Sequence, residues 1–311
     1  MKEVILDTDI GGDCDDAGAL LILKSFHKQG AIRLLAVTSC TTMEGAEHCI
    51  YSILKDYGIT DIPIGVNKGE SFLERENMFR YAPTIKREFP CEPSTQEAVA
   101  LLRKTLANAE KKVTFIAIGP QRNLINLLKS NPDNISPLNG EELVAQKVEE
   151  LVLMAGIFAE ETIYFRNSGK QDVEWNVMQD SKAADYVNRH WQTPIVYSPF
   201  ELGHEIFTGE NMPEGQTAHR CYVLREEYEK ESSGIDRQTF TRESWDPIAA
   251  YYGAIGCNGV FTRSEYGLVN FDKDGYTTFT PDSFSPKAKH RVLRSAVANE
   301  AIEEALNKFM Q

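Results

Sequence analysis

Residues 3 to 23, EVILDTDIGGDCDDAGALLIL, join an apolar strand to an apolar helix through a loop crowded with carboxylates. The acids of this stretch are Asp7, Asp9, Asp13, Asp15 and Asp16. Asp7 and Asp9 are two residues apart at the end of an extended segment, so their side chains leave the same face. Two unit charges about 5 Å apart repel by roughly 3 kcal/mol at an effective dielectric near 20. The sequence therefore predicts a cation in this loop.

Helix capping explains only part of this cluster. Asp15 or Asp16 at the start of the helix would cap it and complement its dipole, but capping does not require four or five acids. No histidine or cysteine accompanies the carboxylates at zinc-like spacing, which favours an oxygen-only site for a hard cation, calcium before magnesium. The acids do not follow the alternating pattern of an EF-hand loop. Whether Asp13 contacts the cation stays open.

Strand-like and helical patterns alternate along the chain. Short apolar runs such as EVILDTD, IRLLAVTSC and KVTFIAIG are separated by helical patterns such as TQEAVALLRKTLANAEK. This alternation is typical of βαβ units with right-handed crossovers. We expect an α/β fold, a single Rossmann-like domain over residues 1–311, with a mixed, largely parallel central sheet flanked by helices. Ligands of such folds bind beyond the carboxyl ends of the strands.

Local signals mark further boundaries. Asp180 and Ser181 are capping candidates for the helical pattern KAADYVNRH. Residues 66 to 97 and 203 to 217 are polar and irregular, and loops of that length are often lids or recognition segments.

Composition disfavours several classes of partner. The 311 residues include 46 acidic and 33 basic side chains, a net charge of −13 that disfavours nucleic acid and anionic membranes. No apolar run approaches the roughly 18 residues of a membrane span. The six cysteines are scattered without C-x-x-C pairing and no cationic leader precedes the first strand, so we expect a cytoplasmic protein. A small molecule or a cation is the expected partner.

The acidic loop resembles the D-x-D-P-G-x-D-D-A signature of the inosine-uridine-preferring nucleoside hydrolase family. This chain has Ile10 in place of the proline and two extra residues before the paired acids, a D-x-D-I-G-x-D-x-D-D variant that also occurs in the family. Further segments are similar to family blocks in the same order, from residue 4 to about 256: VTFIAIGPQRN, LVLMAG, DVEWN and SWDPIAAYYGA. Together these blocks are highly specific.

The resemblance implies hydrolysis of the N-glycosidic bond of ribonucleosides with a bound Ca²⁺ ion. Carried over position by position, the metal ligands are Asp9, Asp16, the backbone carbonyl of Ile118 and Asp246. Water and two ribose hydroxyls would complete about eight oxygen ligands. Asp9 would also act as the general base that takes a proton from water. The structural alternative for Asp246 is an N-cap of the helix that follows it.

The resemblance also implies which residues hold the ribose. Asp15 would accept a hydrogen bond from the 2′-hydroxyl, Glu174 and Asn176 would hold the remaining hydroxyls, and Met154 would pack under the sugar. Asn167 is a further candidate for the same task. Ordinary loop polarity and strand packing are the structural alternatives for Glu174, Asn176 and Met154.

The leaving base raises a separate question. Many family members have a histidine beside the distal aspartate, where this chain has Trp245. Trp245, and Trp175 in a related part, offer aromatic faces for a base to stack on without supplying an acid. Packing at the core or rim is the alternative for Trp245. His204, Tyr222 and Arg225 lie in segments that could reach the base, but spacing does not place them.

We therefore expect a calcium-dependent N-ribosyl hydrolase that forms homodimers or homotetramers, as is common in the family. Two alternatives stay open. A phosphatase of the haloacid dehalogenase type also has an aspartate after a strand, but it normally has threonine or valine at the place of Gly11. A ribose- or nucleoside-binding protein that keeps calcium without turnover is the other.

Overall fold

A computed structural model gives the structure of this chain and describes residues 1–70, 79–158, 173–234 and 239–311. The strands within these ranges are β1 (Lys2–Thr8), β2 (Ile32–Ser39), β3 (Ile64–Val66), β4 (Thr95–Glu97), β5 (Val113–Ala117), β6 (Val148–Met154), β7 (Ile195–Ser198), β8 (Phe207–Thr208), β9 (Arg242–Glu243), β10 (Phe261–Arg263), β11 (Gly267–Phe271), β12 (Thr277–Pro281) and β13 (His290–Ser295). The helices are α1 (Asp15–Lys28), α2 (Ala46–Asp56), α3 (Ala82–Glu88), α4 (Ala98–Asn108), α5 (Arg122–Leu128), α6 (Gly140–Lys147), α7 (Trp175–Gln179), α8 (Ser181–His190), α9 (Phe200–Gly203), α10 (Thr217–Ser233), α11 (Trp245–Ile255) and α12 (Asn299–Asn307).

The main sheet is mixed and largely parallel, which confirms the predicted fold class. Its strand order is β12-β11-β13-β7-β6-β5-β1-β2-β3-β4, and β10 pairs with β13 beside that path. The pairs from β13 and β7 through to β3 and β4 are parallel. The antiparallel pairs lie at one end, where β11 meets β12 and β13 and β10 meets β13. β8 and β9 form a separate antiparallel pair.

Helices cover both faces of the central strands. Val4 and Leu6 of β1 pack into a cluster with α1, α2 and α11, whereas Ile5 packs on the other side with α4, α5 and α8. This arrangement explains why β1 and β5 are apolar almost without alternation, as buried parallel strands are. On one side α1 lies close to α10 and α11, since a methyl group at Gly18 would lie 2.5 Å from the Tyr222 hydroxyl of α10 and 3.3 Å from Pro247 of α11.

The sheet order sets the position of the acidic loop. β1 lies between β5 and β2, with Asp7 in register with Ala117 on one side and Thr38 on the other. β6 follows β5 and ends at Met154. The carboxyl ends of these parallel strands therefore meet at one edge, where ligands bind in such folds.

Two segments predicted to be irregular contain regular structure. Within 66–97 the chain forms α3 and the short strand β4, because Tyr81, Ala82 and Ile85 are buried against the core. Within 203–217 it forms β8. The predicted cap of α8 is confirmed, as the Asp180 carboxylate accepts a hydrogen bond from the Ala183 N–H at 3.2 Å. In the described parts of the chain, every helix is too short or too polar to cross a membrane.

Candidate active site

The carboxyl edge of the sheet opens into a cavity of about 590 Å³. That volume is in the range of small-molecule sites. The structure brings all but one of the sequence-predicted site residues to its walls: Asp9, Asp15, Asp16, Ile118, Met154, Glu174, Asn176, Trp245 and Asp246. The remaining predicted residue, Asn167, lies outside the described residues.

Three of the acids form a compact group. Asp15, Asp16 and Asp246 are buried, and one carboxylate oxygen from each lies within 4.8 Å of the others. The Asp246 N–H donates to the Asp15 carboxylate at 3.1 Å, and the Thr8 hydroxyl donates to Asp16. Within the described residues these carboxylates could hold a metal ion.

None of these acids is a helix cap. Cys14 is the N-cap of α1, and Asp15 and Asp16 occupy the first turn. Ser244 is the N-cap of α11, so the predicted alternative that Asp246 caps this helix is wrong. Local sequence misplaced that boundary because the helix begins two residues before Pro247, at Trp245.

Burial and mutual repulsion raise the pKa of every carboxyl in the group. Loss of solvent raises the pKa of Asp15, Asp16 and Asp246 well above the usual value, and the neighbouring carboxylates raise it further. Burial likewise raises the pKa of Asp9 to about 7. A donor set of crowded, buried carboxylate oxygens fits a hard divalent cation, whose charge would favour the ionised forms.

Asp9 is held against the loop that follows β5. A methyl group at Gly119 would lie 2.7 Å from an oxygen of the Asp9 carboxylate, so only glycine permits this approach. Behind it, the Asp7 carboxylate accepts hydrogen bonds from the Thr38 hydroxyl at 2.5 Å and the Asn123 amide at 2.7 Å. Asp7 is fully buried and is not on the cavity wall.

Asn176 and Glu174 organise the wall opposite the acids. The Asn176 side-chain amide donates to the carbonyls of Ile118 and Met154, both at 3.2 Å, and so joins the ends of β5 and β6. The Glu174 carboxylate accepts from the N–H groups of Asn176, Val177 and Gly156 and is the N-cap of α7. Burial raises the pKa of Glu174 to about 7. Both residues are therefore buried structural elements of the cavity as well as candidates for substrate contact.

Aromatic side chains form another part of the wall. The Trp245 indole N–H donates to the Phe200 carbonyl at 2.9 Å, and its ring packs 5.2 Å from the Phe200 ring. Trp245 therefore offers a ring face or edge to the cavity while its N–H is engaged. Trp175 also lines the cavity and is 39% exposed.

Sequence spacing did not show whether His204, Tyr222 and Arg225 reach the site. Of these three, Arg225 alone is on the cavity wall. His204 stacks 6.3 Å from the Trp245 ring, and Tyr222 is buried near Gly18. Asp13 turns away from the acid group, because both of its oxygens accept from the Arg242 guanidinium at 2.7 and 2.5 Å. Although burial opposes ionisation, Arg225 and Arg242 hold the pKa of Asp13 well below its usual value.

Arg242 and Glu229 were missed by sequence reasoning. Arg242 also donates to Glu229 at 3.0 Å and to Glu243 at 2.6 Å. No local pattern in TRESWD marks the arginine, and its partner Asp13 is 229 residues away. The signal that could have found the pair is the extra acid in the variant loop, which needs its own counter-charge.

The sequence model of the family described as inosine-uridine preferring nucleoside hydrolase matches residues 4–298. The chain belongs to this family. Among curated members, the pyrimidine-specific ribonucleoside hydrolase RihA of Enterobacter sp. (strain 638) is 27% identical over 219 residues, which is 65% of this chain and 60% of that protein. RihA of Escherichia coli O81 (strain ED1a) is 24% identical over 65% of this chain and 61% of its own length. The chain thus spans about 60% of the length of these relatives.

Solved structures of the family share the fold. The inosine-uridine preferring nucleoside hydrolase of Bacillus anthracis superimposes with a TM-score of 0.69 at 17% identity, covering 100% of this chain and 99% of that one. The purine-preferring ribonucleoside hydrolase of Gardnerella vaginalis also gives 0.69 at 17% identity, with 99% and 97% covered. Membership of this family excludes the alternative of a haloacid dehalogenase-type phosphatase.

Proposed function

We propose that this protein hydrolyses the N-glycosidic bond of ribonucleosides to ribose and free base, with Ca²⁺ as its cofactor. The observation that carries the proposal is the meeting of Asp9, Asp15, Asp16 and Asp246 in one cavity with Asn176 and an aromatic wall. Family membership supports the same reaction. The substrate we propose is a small-molecule ribonucleoside, and neither nucleic acid nor a membrane is a proposed partner.

Asp9, Asp16, Asp246 and the carbonyl of Ile118 would hold the cation. When bound, Ca²⁺ would be coordinated by the oxygens of a water molecule and of ribose hydroxyls, and it would lower the pKa of that water. The oxygen-only set and the crowding of Asp15, Asp16 and Asp246 support this choice of metal.

The protein's own groups position and deprotonate the reactants. Asp9, fixed against Gly119, accepts the proton of the attacking water. Asp15 accepts from the ribose 2′-hydroxyl, and the carboxylates around the sugar stabilise the positive charge that develops at C1′. Because the Asn176 amide nitrogen is committed to two carbonyls, its oxygen is the atom that accepts from a ribose hydroxyl. The Glu174 carboxylate makes a second polar contact to the ribose hydroxyls, and Met154 lies under the sugar.

A nucleoside panel tests the proposal. Purified protein is incubated with ribonucleosides and their 2′-deoxy analogues, with and without a chelator, and reducing sugar is measured. We expect sugar release from ribonucleosides that the chelator abolishes and added Ca²⁺ restores. Tight nucleoside binding without sugar release would instead select the binding-protein alternative.

The assembly and location are part of the same proposal. We propose one domain over residues 1–311 that assembles as a homodimer or homotetramer, which light scattering after size-exclusion chromatography tests. A cytoplasmic location is supported by the six free cysteines, since disulfides are rare in that compartment.

A further inference from the structure

Four side chains of alternating charge form a closed ring beside the cavity, which we call the charge ring: Asp13, Arg242, Glu229 and Arg225. Arg242 donates to Asp13 and to Glu229, and Arg225 donates from Nε to the same Glu229 oxygen at 3.0 Å. An Arg225 amino group closes the ring at 3.8 Å from the Asp13 carboxylate. The charge ring joins the acidic loop, α10 and the segment that leads into α11.

The two arginines of the charge ring differ in how many donors they have in use. Arg242 gives Nε, Nη1 and Nη2 to Asp13, Glu229 and Glu243. Within the described residues, Arg225 makes one hydrogen bond, from Nε, and its two amino groups make none. Arg225 lines the cavity, and its side chain is 20% exposed. It therefore has amino donors to offer a bound molecule.

Aromatic rings surround this guanidinium. The Arg225 guanidinium carbon lies 5.9 Å from the centre of the Phe79 ring and 5.8 Å from that of Tyr228, and these two rings stack at 4.4 Å. Trp245, beside Arg242 at 5.2 Å, is on the same cavity wall. Flat faces and cationic donors suit a heteroaromatic base, whereas the carboxylate end suits a cation and a sugar.

The departing base requires stabilisation because it leaves with the electron pair of the C1′–N bond. Among the described residues that line the cavity there is no histidine. An arginine stays protonated at any working pH and can stabilise an anion by donating hydrogen bonds. Such a preorganised donor aimed at developing charge is worth roughly 10²- to 10³-fold in kcat.

We propose that Arg225 is a catalytic residue that stabilises the departing base by donating hydrogen bonds from its amino groups to a ring nitrogen or carbonyl oxygen of that base. This inference rests on the proposed function. The C1′–N bond breaks with its electrons on the base, and a C1′–O bond forms to water, whose proton Asp9 accepts. Asp9 then releases its proton to solvent and the base anion takes one proton from solvent, so that a nucleoside and water give ribose and neutral base and the Asp9 carboxylate is restored.

The test compares two kinds of leaving group in one set of variants. Substrates are inosine, uridine and 4-nitrophenyl β-D-ribofuranoside, whose nitrophenolate is stable without a hydrogen-bond donor. The variants are Arg225→Met, Arg225→Lys and the matched control Arg220→Met. Arg220 is on the same helix but does not line the cavity. Its Nε lies 2.8 Å from the Glu88 carboxylate.

We expect Arg225→Met to lower kcat on the nucleosides about 100-fold while changing the nitrophenyl riboside rate less than about threefold. Arg225→Lys should recover part of the nucleoside rate, and Arg220→Met should match wild type. Circular dichroism shows that each variant is folded.

Two results would overturn the inference while leaving the proposed function intact. One is an equal fall in kcat on both kinds of substrate, and the other is no fall on either. If the wild-type protein hydrolyses none of these ribosides, the proposed function fails and the inference fails with it.

Discussion

Asp13 and Arg242 are 229 residues apart in the sequence and share two hydrogen bonds, at 2.7 and 2.5 Å. This bidentate pair, which we call the fork, links the acidic loop to the segment that precedes Asp246. It also turns Asp13 away from the acid group of Asp15, Asp16 and Asp246, although Asp13 is two residues before Asp15. The extra acid of the variant loop therefore has a partner of its own.

The first prediction concerns stability. Replacing Arg242 by methionine leaves Asp13, Glu229 and Glu243 without their shared counter-charge, and such a loss at a buried site costs about 3 kcal/mol or more. Urea unfolding measures the change. The exposed-pair control Arg220→Met should cost under about 1 kcal/mol. An equal loss of unfolding free energy in the two variants would show that the Asp13–Arg242 pair stabilises the fold no more than an exposed ion pair does.

The second prediction concerns Asp9, the proposed general base. Asp9→Asn keeps the shape of the side chain but cannot accept a proton, so turnover of ribonucleosides should fall by roughly 10²- to 10⁴-fold. The circular dichroism spectrum should not change. Asp274→Asn, in an exposed turn, is the matched control and should leave turnover unaltered. Unchanged turnover in Asp9→Asn would remove that residue from its assigned role.

The third prediction concerns metal removal. A cation that binds the folded state alone adds about 2.7 kcal/mol of stability at 100 times its Kd. The melting temperature should therefore rise as Ca²⁺ is titrated in and fall in excess chelator. Asp16→Asn should diminish this shift because it removes a ligand from the acid group, whereas Asp274→Asn should preserve it. A melting temperature insensitive to Ca²⁺ would refute the proposed metal site.

The fourth prediction concerns His290, which is buried and accepts a hydrogen bond from the Val269 N–H at 2.8 Å. Burial first, and then the charge of Lys289, lowers the pKa of His290 to about 4. The unfolded chain therefore binds a proton at His290 below about pH 6.5, whereas the folded protein binds it only near pH 4. The stability that the neutral His290 gives to the folded state is complete above pH 6.5 and is lost as pH falls toward 4.

Between pH 7 and pH 5 the free energy of unfolding of wild type should fall by about 2 kcal/mol more than that of His290→Gln. Urea unfolding at both pH values measures this difference. The buried acids with raised pKa, such as Asp7 and Glu174, give the opposite trend, but they are common to both proteins and cancel. Parallel pH profiles of the two proteins would disprove the assignment.

Features fixed by local chemistry were accessible from the sequence. The apolar run ending at Asp7 and Asp9 predicts a buried parallel strand, and the Asp180 cap of α8 is a short-range contact. The charge ring was not accessible, because its members come from three distant segments and carry no periodic pattern. The helix α3 was missed for a related reason. Tyr81 and Ile85 are buried by tertiary packing, which the polar composition of the surrounding segment does not indicate.

The hydrogen bond from the Trp245 indole to the Phe200 carbonyl, together with the close approach of Gly203 to Trp245, restrains this ring before any ligand binds. Ordering a free side chain on binding costs about 0.5–1.5 kcal/mol, and a ligand that stacks on Trp245 avoids most of that cost. The aromatic wall is therefore preorganised, which favours a base that fits its shape over one that would require the ring to move.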